Sequence, residues 1–218
     1  MHAPLSFLAF VILGNGFVMT FVSLSLKETG MQDWVIGFVQ SAYYLGMMTA
    51  SLTIQGTMNK LGHFRLLATA AMIMAIAHGL MGVFYQNLWI WIFLRFVSGF
   101  CIGGIYVGME SWLLASSKAG NRGTMIAIYT IVLYGALSAS QRILDYLPVG
   151  QAIFWTSFML ISLGIPFTLH NKSLPKSAMS ETKKDSVPIT PLISISVCFF
   201  AGIDRKSTRL NSSHQIIS

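Results

Sequence analysis

The stretch WIWIFLRFVSGFCIGG, residues 89–104, is almost wholly apolar and carries one charged side chain, that of Arg95. It belongs to an apolar run that begins at Leu88 and is long enough to cross a bilayer, whose ~30 Å hydrocarbon core needs about 20 helical residues. A charge at the centre of a bilayer costs roughly 2.5–3.5 kcal/mol, so Arg95 must face other helices or a hydrated cavity rather than lipid. The stretch therefore predicts a membrane-spanning helix inside a helical bundle.

The rest of the chain shares this composition. Of its 218 residues, 54% are hydrophobic and only 10% are charged, which excludes an ordinary soluble domain. Six runs are long enough to span a membrane, namely residues 4–26, 34–56, 66–85, 88–109, 123–141 and 149–170. Backbone groups in hydrocarbon must be paired internally, and these runs lack the alternation of a β-barrel. We predict an all-α membrane protein with six transmembrane helices.

Three segments follow the predicted bundle of residues 1–170. Residues 171–190 are polar and rich in Lys, Ser and Pro, which predicts a cytoplasmic linker. Residues 191–203 are apolar and predict the start of a seventh transmembrane helix, which the charges after Ile203 interrupt. The run DRKSTRLNSSH resembles a translated frame of a sequencing adapter, so we interpret residues 204–218 as a non-native tail.

The distribution of Lys and Arg predicts the orientation of the chain. Eight of these residues lie in the loops of one side and two in the loops of the other. The side rich in Lys and Arg is normally cytoplasmic, which predicts a multi-pass protein of a bacterial inner membrane with a cytoplasmic N-terminus. The net charge of +7 is divided among short loops, so the expected partner is the lipid bilayer and not a nucleic acid. The chain has no HExxH or nucleotide-binding motif, and we predict no enzymatic activity, no cofactor and no metal site.

Polar residues recur at helical spacing on four of the six predicted helices. In the fourth, Arg95, Tyr106 and Glu110 share a face with Gly99, and Gly99 and Gly103 are spaced for close packing of a neighbouring helix. The corresponding stripes are Gln40, Tyr44, Ser51 and Gln55 in the second helix and Thr130, Tyr134, Ser138 and Gln141 in the fifth. The first has Asn15 between Gly14 and Gly16, two flexible residues that could leave backbone or side chain exposed to a cavity. We therefore predict a hydrated cavity between helices one, two, four and five, lined by Asn15, Gln40, Tyr44, Arg95, Tyr106, Tyr134 and Gln141.

The other two helices carry few polar residues, so helices three and six are expected to face lipid. The recurrence every third helix indicates a pair of three-helix repeats. We interpret His78, in the third helix, as a packing or hydrogen-bonding residue. Aromatic residues near the span ends, Trp34, Tyr85, Trp89 and Trp91, are predicted to anchor the helices at the membrane interface.

Two motifs resemble those of the major facilitator superfamily. The segment QGTMNKLGHFR, residues 55–65, is similar to the signature loop of that family, with Lys60 and Gly62 in agreement. Asn59 stands where the family usually has Asp, His63 replaces a base, and Arg65 falls one place beyond the usual second base. The stretch RFVSGFCIGG resembles the family's Arg-x-x-x-Gly motif.

The resemblance implies a secondary transporter of about twelve spans, of which this chain is the N-terminal half. Arg95 would attract an anionic or polar group of a small-molecule substrate, or pair with a proton-carrying acid from the missing C-terminal half. The signature loop would form a cytoplasmic latch, weakened by Asn59, and Glu110 and Arg122 would be gating residues. Two alternatives remain open: a complete six-helix carrier or channel that acts as a homodimer, and a membrane scaffold, which would have no reason to retain Arg95.

Overall fold

The computed structural model describes residues 2–85, 87–117, 121–146 and 150–169. Helices account for nearly all of these residues, and no strand occurs among them, so the all-α prediction is confirmed. The helices are α1 (His2–Glu28), α2 (Asp33–Leu61), α3 (His63–Val83), α4 (Leu88–Ser116), α5 (Arg122–Leu144), α6 (Ala152–Gly164) and α7 (Pro166–Leu169). The predicted linker, the start of a seventh helix and the tail lie outside the described residues.

Four helices, α1, α3, α4 and α5, are long and apolar enough to cross a membrane, with mean hydropathies of 2.1, 1.9, 1.8 and 1.5. The α2 helix has 29 residues but is not one of these four. Several of its hydroxyl groups donate to carbonyls of the preceding turn, as Thr49 does to Leu45 and Thr53 to Thr49. A hydroxyl satisfied inside its own helix needs no water, so α2 is chemically compatible with a membrane. The sixth predicted span is a shorter apolar helix, Ala152–Thr168.

The helices pack in the order α2, α4, α3, α6, α1, α5, and each makes its most extensive contacts with its neighbours in this row. The row is curved, because α1 also touches α2 and α4 also touches α5, in both cases sparsely. The two ends of the row, α2 with α4 and α1 with α5, thus approach each other. We call the line between these two pairs of helices the seam. This seam positions the candidate site.

Two glycines bring the backbones of α2 and α4 into contact. A Cβ on Gly99 would collide with the carbonyl of Tyr43, and a Cβ on Gly46 would collide with the carbonyl of Phe96. Small residues at such crossings let membrane helices approach closely. The close packing predicted from the spacing of Gly99 and Gly103 is confirmed, since a Cβ on Gly103 would lie 3.0 Å from that of Ala50.

The glycines beside Asn15 also serve packing. The sequence suggested flexible backbone there, but α1 is a continuous helix through this point. A Cβ on Gly14 would lie 2.8 Å from Cγ1 of Ile161, and one on Gly16 would lie 2.8 Å from Cβ of Ser140. The expectation of a flexible, exposed backbone was wrong, because α5 and α6 occupy the space that the missing side chains leave.

The segment that resembles the signature loop is mostly helical. The α2 helix continues to Leu61, and α3 begins at His63, so the break between them is Gly62 alone. Gly62 has φ of 81°, a conformation that a residue without a side chain adopts readily. Bilayer thickness predicts only the length of the apolar segment, whereas backbone hydrogen bonds continue the helix past the end of that segment. For the same reason α4 ends at Ser116 and not at residue 109.

The aromatic residues at the span ends divide into two groups. Trp34 and Trp89 are 70% and 78% exposed, as interfacial anchors would be. Trp91 is only 3% exposed, and its indole nitrogen donates to the Met81 carbonyl over 3.2 Å. Trp91 and Tyr85 pack edge-on against Phe154, so the anchor prediction was wrong for this pair. Trp89 and Trp91 are two residues apart on α4, so they lie on opposite faces of the helix.

Candidate functional site

The Arg95 side chain is fully buried, with 0% exposure, between helices. Its Nη2 donates a hydrogen bond to Oε1 of Gln40 on α2. Its guanidinium carbon lies 4.5 Å from the centre of the Tyr43 ring, a cation–π contact that contributes about 2 kcal/mol when desolvated. The sequence predicted that Arg95 lines a cavity, and the structure encloses its side chain, with Gln40 and Tyr43 of α2 against the guanidinium.

Gln40 connects the arginine to α1 across the seam. Its amide oxygen accepts from Arg95, while its amide nitrogen donates to the Met19 carbonyl over 3.1 Å and to the Ser23 hydroxyl. Every polar atom of this side chain therefore has a partner, and α1, α2 and α4 are joined through it. Since α1 and α2 otherwise touch sparsely, the hydrogen bonds of Gln40 are an important polar contact between these two helices.

Tyr43 forms a second tie in the same seam. Its hydroxyl accepts a hydrogen bond of 2.9 Å from Nδ2 of Asn15, and its ring packs edge-on against Tyr44, with ring centres 5.5 Å apart. Asn15 and Tyr43 are buried, whereas Tyr44 is half-buried. The structure thus brings together four predicted cavity residues, Asn15, Gln40, Tyr44 and Arg95, and adds Tyr43, which sequence reasoning missed.

The groups that contact Arg95 are neutral. Within the described part of the chain, no carboxylate lies near its guanidinium, and the groups that act on its charge are the tyrosines of α2. A buried charge is normally paired with an opposite charge, since its desolvation amounts to several kcal/mol. The arrangement therefore leaves a positive charge inside the bundle without a counter-ion among the described residues.

Glu110 lies at the other end of the seam. It is half-buried on α4, and the Tyr129 hydroxyl of α5 is close enough to interact with its carboxylate. Tyr106, one turn earlier on α4, is close enough to interact electrostatically with both groups and with Tyr134. The basic partners that the sequence offered, Arg65 and Arg122, are exposed, and no ion pair with Glu110 forms in the described ranges. Tyr129 is the neighbour with which its carboxylate interacts.

The residues of the proposed latch lie where α2 passes into α3. Lys60 and Arg65 are exposed, while His63 is buried and its Nε2 lies 3.1 Å from the Ser111 hydroxyl of α4. His63 therefore holds the start of α3 against the end of α4, beside Glu110. The side chain of Asn59 lies outside the described residues, so the expected weakening of the latch stays a prediction.

The polar stripe of α5 points away from the packed core. Its four members, Thr130, Tyr134, Ser138 and Gln141, are all exposed, whereas Tyr129, Ala136 and Ser140 form the buried face. One member reaches α1, since Oε1 of Gln141 accepts a hydrogen bond of 2.8 Å from Thr20. The predicted cavity residues Tyr134 and Gln141 thus flank the seam on an uncovered surface.

A second polar group links α3, α6 and α1. Nδ1 of His78 on α3 lies 2.8 Å from the Ser157 hydroxyl of α6, and that hydroxyl donates to the Gly14 carbonyl of α1 over 2.7 Å. His78 and Ser157 are both fully buried. The hydrogen-bonding interpretation of His78 is confirmed. Its partners, Ser157 and through it Gly14, are distant in sequence. The one signal in the sequence was that His78 and Ser157 are polar residues inside apolar helices.

Two surface hollows lie away from this group. One is at the turn between α3 and α4, next to Tyr85, Asn87 and Gln151. The other lies between α2 and α4 on an apolar surface near Phe38 and Phe93. Neither is lined by Arg95, so the charged group is enclosed by helices in this conformation.

The comparison with known proteins identifies the family to which this arrangement of helices belongs. Residues 5–203 match the family model described as Major Facilitator Superfamily. The chain belongs to this superfamily. It is therefore a multi-pass membrane protein of a transporter family, and the recognition made from its two motifs is confirmed.

Similar members of the superfamily occur in enteric bacteria. An uncharacterized MFS-type transporter of Enterobacter sp. (strain 638) is 28% identical over 152 residues, which cover 67% of this chain and 39% of the relative. The uncharacterized MFS-type transporter YcaD of Escherichia coli O139:H28 (strain E24377A / ETEC) is 28% identical over 193 residues, 88% of this chain and 49% of the relative. The chain spans half or less of the length of these curated superfamily members.

Proposed function

We propose that this chain is the N-terminal half of a secondary active transporter, which moves a small solute across the cytoplasmic membrane by alternating access. In this proposal six helices cross the membrane as two three-helix repeats, with the N-terminus in the cytoplasm of a bacterial cell. The other half completes the substrate pathway along the seam, and protons are the candidate coupling ion. Membership of the superfamily supports the general activity.

The observation that carries the proposal is the buried charge of Arg95. A fully buried guanidinium with only neutral contacts is expensive to keep, and an apolar residue in its place would often be as stable. Such charges inside membranes usually mark the paths of substrates or ions. In a conformation that opens the seam, an anionic group would reach the guanidinium from outside this bundle. It would be either a carboxylate of the solute or an acid of the remaining half.

The two kinds of exposed helix surface support a pathway beside α5. From Met72 to the end of α3 at Val83, the exposed side chains are all apolar: Met72, Ile73, Ile76, Leu80 and Val83. The exposed face of α5 is instead mixed, with the four polar members of its stripe among apolar residues. Polar groups are unfavourable against lipid, so we infer that the α3 surface faces lipid and that the α5 stripe faces water or the other half.

Thiol labelling tests the pathway without knowledge of the substrate. A cysteine reacts with maleimides as the thiolate, which forms in water but not in hydrocarbon. We expect Tyr134→Cys on α5 to be labelled rapidly in membranes that contain the full-length gene product, and Ile76→Cys on α3 to stay unlabelled. The two positions are a matched pair, since they are 61% and 50% exposed in this chain. Both variants would carry Cys101→Ala and Cys198→Ala to remove native thiols.

The labelling has clear alternative results. No labelling at either position would mean that the α5 surface is dry, and the pathway would be rejected. Equal labelling at both positions would mean that water reaches the α3 surface as well, which also contradicts a defined pathway. Comparison of a membrane-impermeant maleimide added from each side then tests alternating access, which predicts labelling of Tyr134→Cys from both sides.

A homodimer of six-helix carriers is the second candidate, because a second copy would also cover the exposed α5 stripe. Genomic sequencing beyond the Ile203 codon separates the two. We expect the reading frame to continue through five or six further apolar spans. An in-frame stop codon at that point would favour the homodimer and contradict the half-transporter.

A further inference from the structure

Five buried side-chain atoms in the described residues have no hydrogen-bond partner in the protein, and they belong to four residues. They are Oδ1 of Asn15, Nε2 of His78, Nε and Nη1 of Arg95, and Oγ of Ser98. These residues lie close together. Arg95 and Asn15 both contact Tyr43, and Ser98 is one turn from Arg95 on α4. His78 is linked through the Ser157 hydroxyl to the carbonyl of Gly14, the residue before Asn15. The unpaired atoms therefore belong to residues of α1, α3 and α4 that are linked through Tyr43 and Ser157.

The hydrogen-bonding character of each atom follows from the bonds that its residue already makes. Ser157 gives its only proton to the Gly14 carbonyl, so it must accept from Nδ1 of His78, and Nε2 of His78 is left with a lone pair. Asn15 donates through its amide nitrogen, so Oδ1 remains an acceptor. The two Arg95 nitrogens are donors, and a serine hydroxyl can act either way. The five unpaired atoms are thus two donors on Arg95, two acceptors on Asn15 and His78, and the Ser98 hydroxyl, which can donate or accept.

This composition selects the molecule that fits. An anion would accept from Arg95, but it would face the lone pairs of Asn15 and His78. A cation would be repelled by the guanidinium. Water donates and accepts at once, and buried waters typically make about three hydrogen bonds to polar groups that lack protein partners. We propose that Asn15, His78, Arg95 and Ser98 form a binding site for ordered water, which bridges Arg95 to His78.

The water site explains how the half-bundle carries an arginine without an acid. Polar groups in a low-dielectric interior must be satisfied, and bridging water is nearly as favourable as a direct hydrogen bond. Gln40 and Tyr43 contact the guanidinium directly. Water would solvate its other nitrogens without neutralising them. The positive charge is thus retained in full, and a polar chain runs from Gln40 through Arg95, water and His78 to Ser157. This inference does not depend on solute transport.

X-ray hydroxyl-radical footprinting of the unmodified full chain in lipid nanodiscs tests the site. Radiolysis makes the radicals from water, so a buried side chain is oxidised only if water is bound beside it. We expect His78 to be oxidised several-fold faster than Met74 and Met81. These methionines are matched controls, because all three side chains are on α3 with 0% exposure and methionine is intrinsically at least as reactive.

The opposite result is equally definite. If His78 is protected as well as Met74 and Met81, no water is bound there and the inference is wrong. Oxidation of all three at similar rates would show general opening of the bundle, which also contradicts a specific site. A Ser98→Ala variant gives a second measurement: it removes one water ligand and should lower His78 oxidation while leaving the two methionines unchanged.

Discussion

Replacing Gly46 with alanine should separate α2 from α4 and destabilise the bundle, whereas the same change at Gly56, on the same helix, should leave its stability unchanged or slightly higher. A Cβ on Gly46 would collide with the Phe96 carbonyl and lie 2.8 Å from the backbone nitrogen of Phe100. Backbone atoms cannot rotate away as a side chain can, so the helices must move apart. Overpacking of this kind costs about 1–3 kcal/mol, and more when backbone must shift.

The control isolates the contact from the general effect of alanine in a helix. A Cβ on Gly56 would have no atom within 4 Å, and alanine favours a helix over glycine by up to about 1 kcal/mol. SDS titration of the purified chain, followed by circular dichroism, measures the free energy of unfolding of each variant. Gly99→Ala should resemble Gly46→Ala, since it meets the Tyr43 carbonyl from the other side. Equal stability of the Gly46 and Gly56 variants would contradict the close crossing.

The crossing matters for the candidate site because the same turns carry its residues. Gly99 follows Arg95 by one turn, and Gly46 follows Tyr43 by three residues. The cation–π contact between Arg95 and Tyr43 therefore depends on how closely the two backbones approach. A small displacement of α2 would also pull Gln40 away from the guanidinium.

The helices and the close crossing could be predicted from the sequence because both depend on local patterns. Runs of about 20 apolar residues need to be helical in a bilayer, and glycines four residues apart present a flat face. The motif that contains Arg95 and Gly99 also led to the correct superfamily. These features require no knowledge of where the other helices lie.

The partners of Arg95 could not be predicted in this way. Spacing shows which residues of a helix share a face, but not how the helix is rotated against its neighbours. Tyr44 was selected because it lies four residues after Gln40, yet the residue against the guanidinium is Tyr43, at three residues. Spacing likewise could not show how α5 is rotated: its predicted polar stripe lies on the exposed surface, and Tyr129, which is not part of the stripe, lies on the buried one.

The His78 group shows a second limit. His78 stands alone among apolar residues of α3, and its contacts are Ser157, which is 79 positions away, and through it Gly14. No residue pattern within one helix can reveal two hydrogen bonds that link three different helices. The expectation that α3 and α6 contribute little beyond lipid contact was therefore too simple, because each has an apolar outer surface and a polar group on its inner side.

Replacing Gln40 with leucine should lower the free energy of unfolding by about 1.5–3 kcal/mol, the usual contribution of a hydrogen bond to a charged group. The change would leave Nη2 of Arg95 buried and unpaired and would also remove the bonds to Met19 and Ser23. Gln55→Leu is the control, since Gln55 is exposed on the same helix and should change stability by less than about 0.5 kcal/mol. SDS unfolding of both variants measures the difference.

A double-mutant cycle then separates the stability role of Arg95 from its proposed functional role. Arg95→Leu removes the buried charge but leaves Oε1 of Gln40 unpaired, so we expect the double variant to be more stable than the sum of the single effects predicts, by about 0.5–3 kcal/mol. Strictly additive effects would contradict the Gln40–Arg95 bond. Apolar replacements of buried ionic groups are often neutral or stabilising. A double variant as stable as the natural chain would mean that packing does not require the arginine, and its retention would need a functional reason. A large loss in the double variant would mean that Arg95 is structural, and the transport role proposed for it would lose its main support.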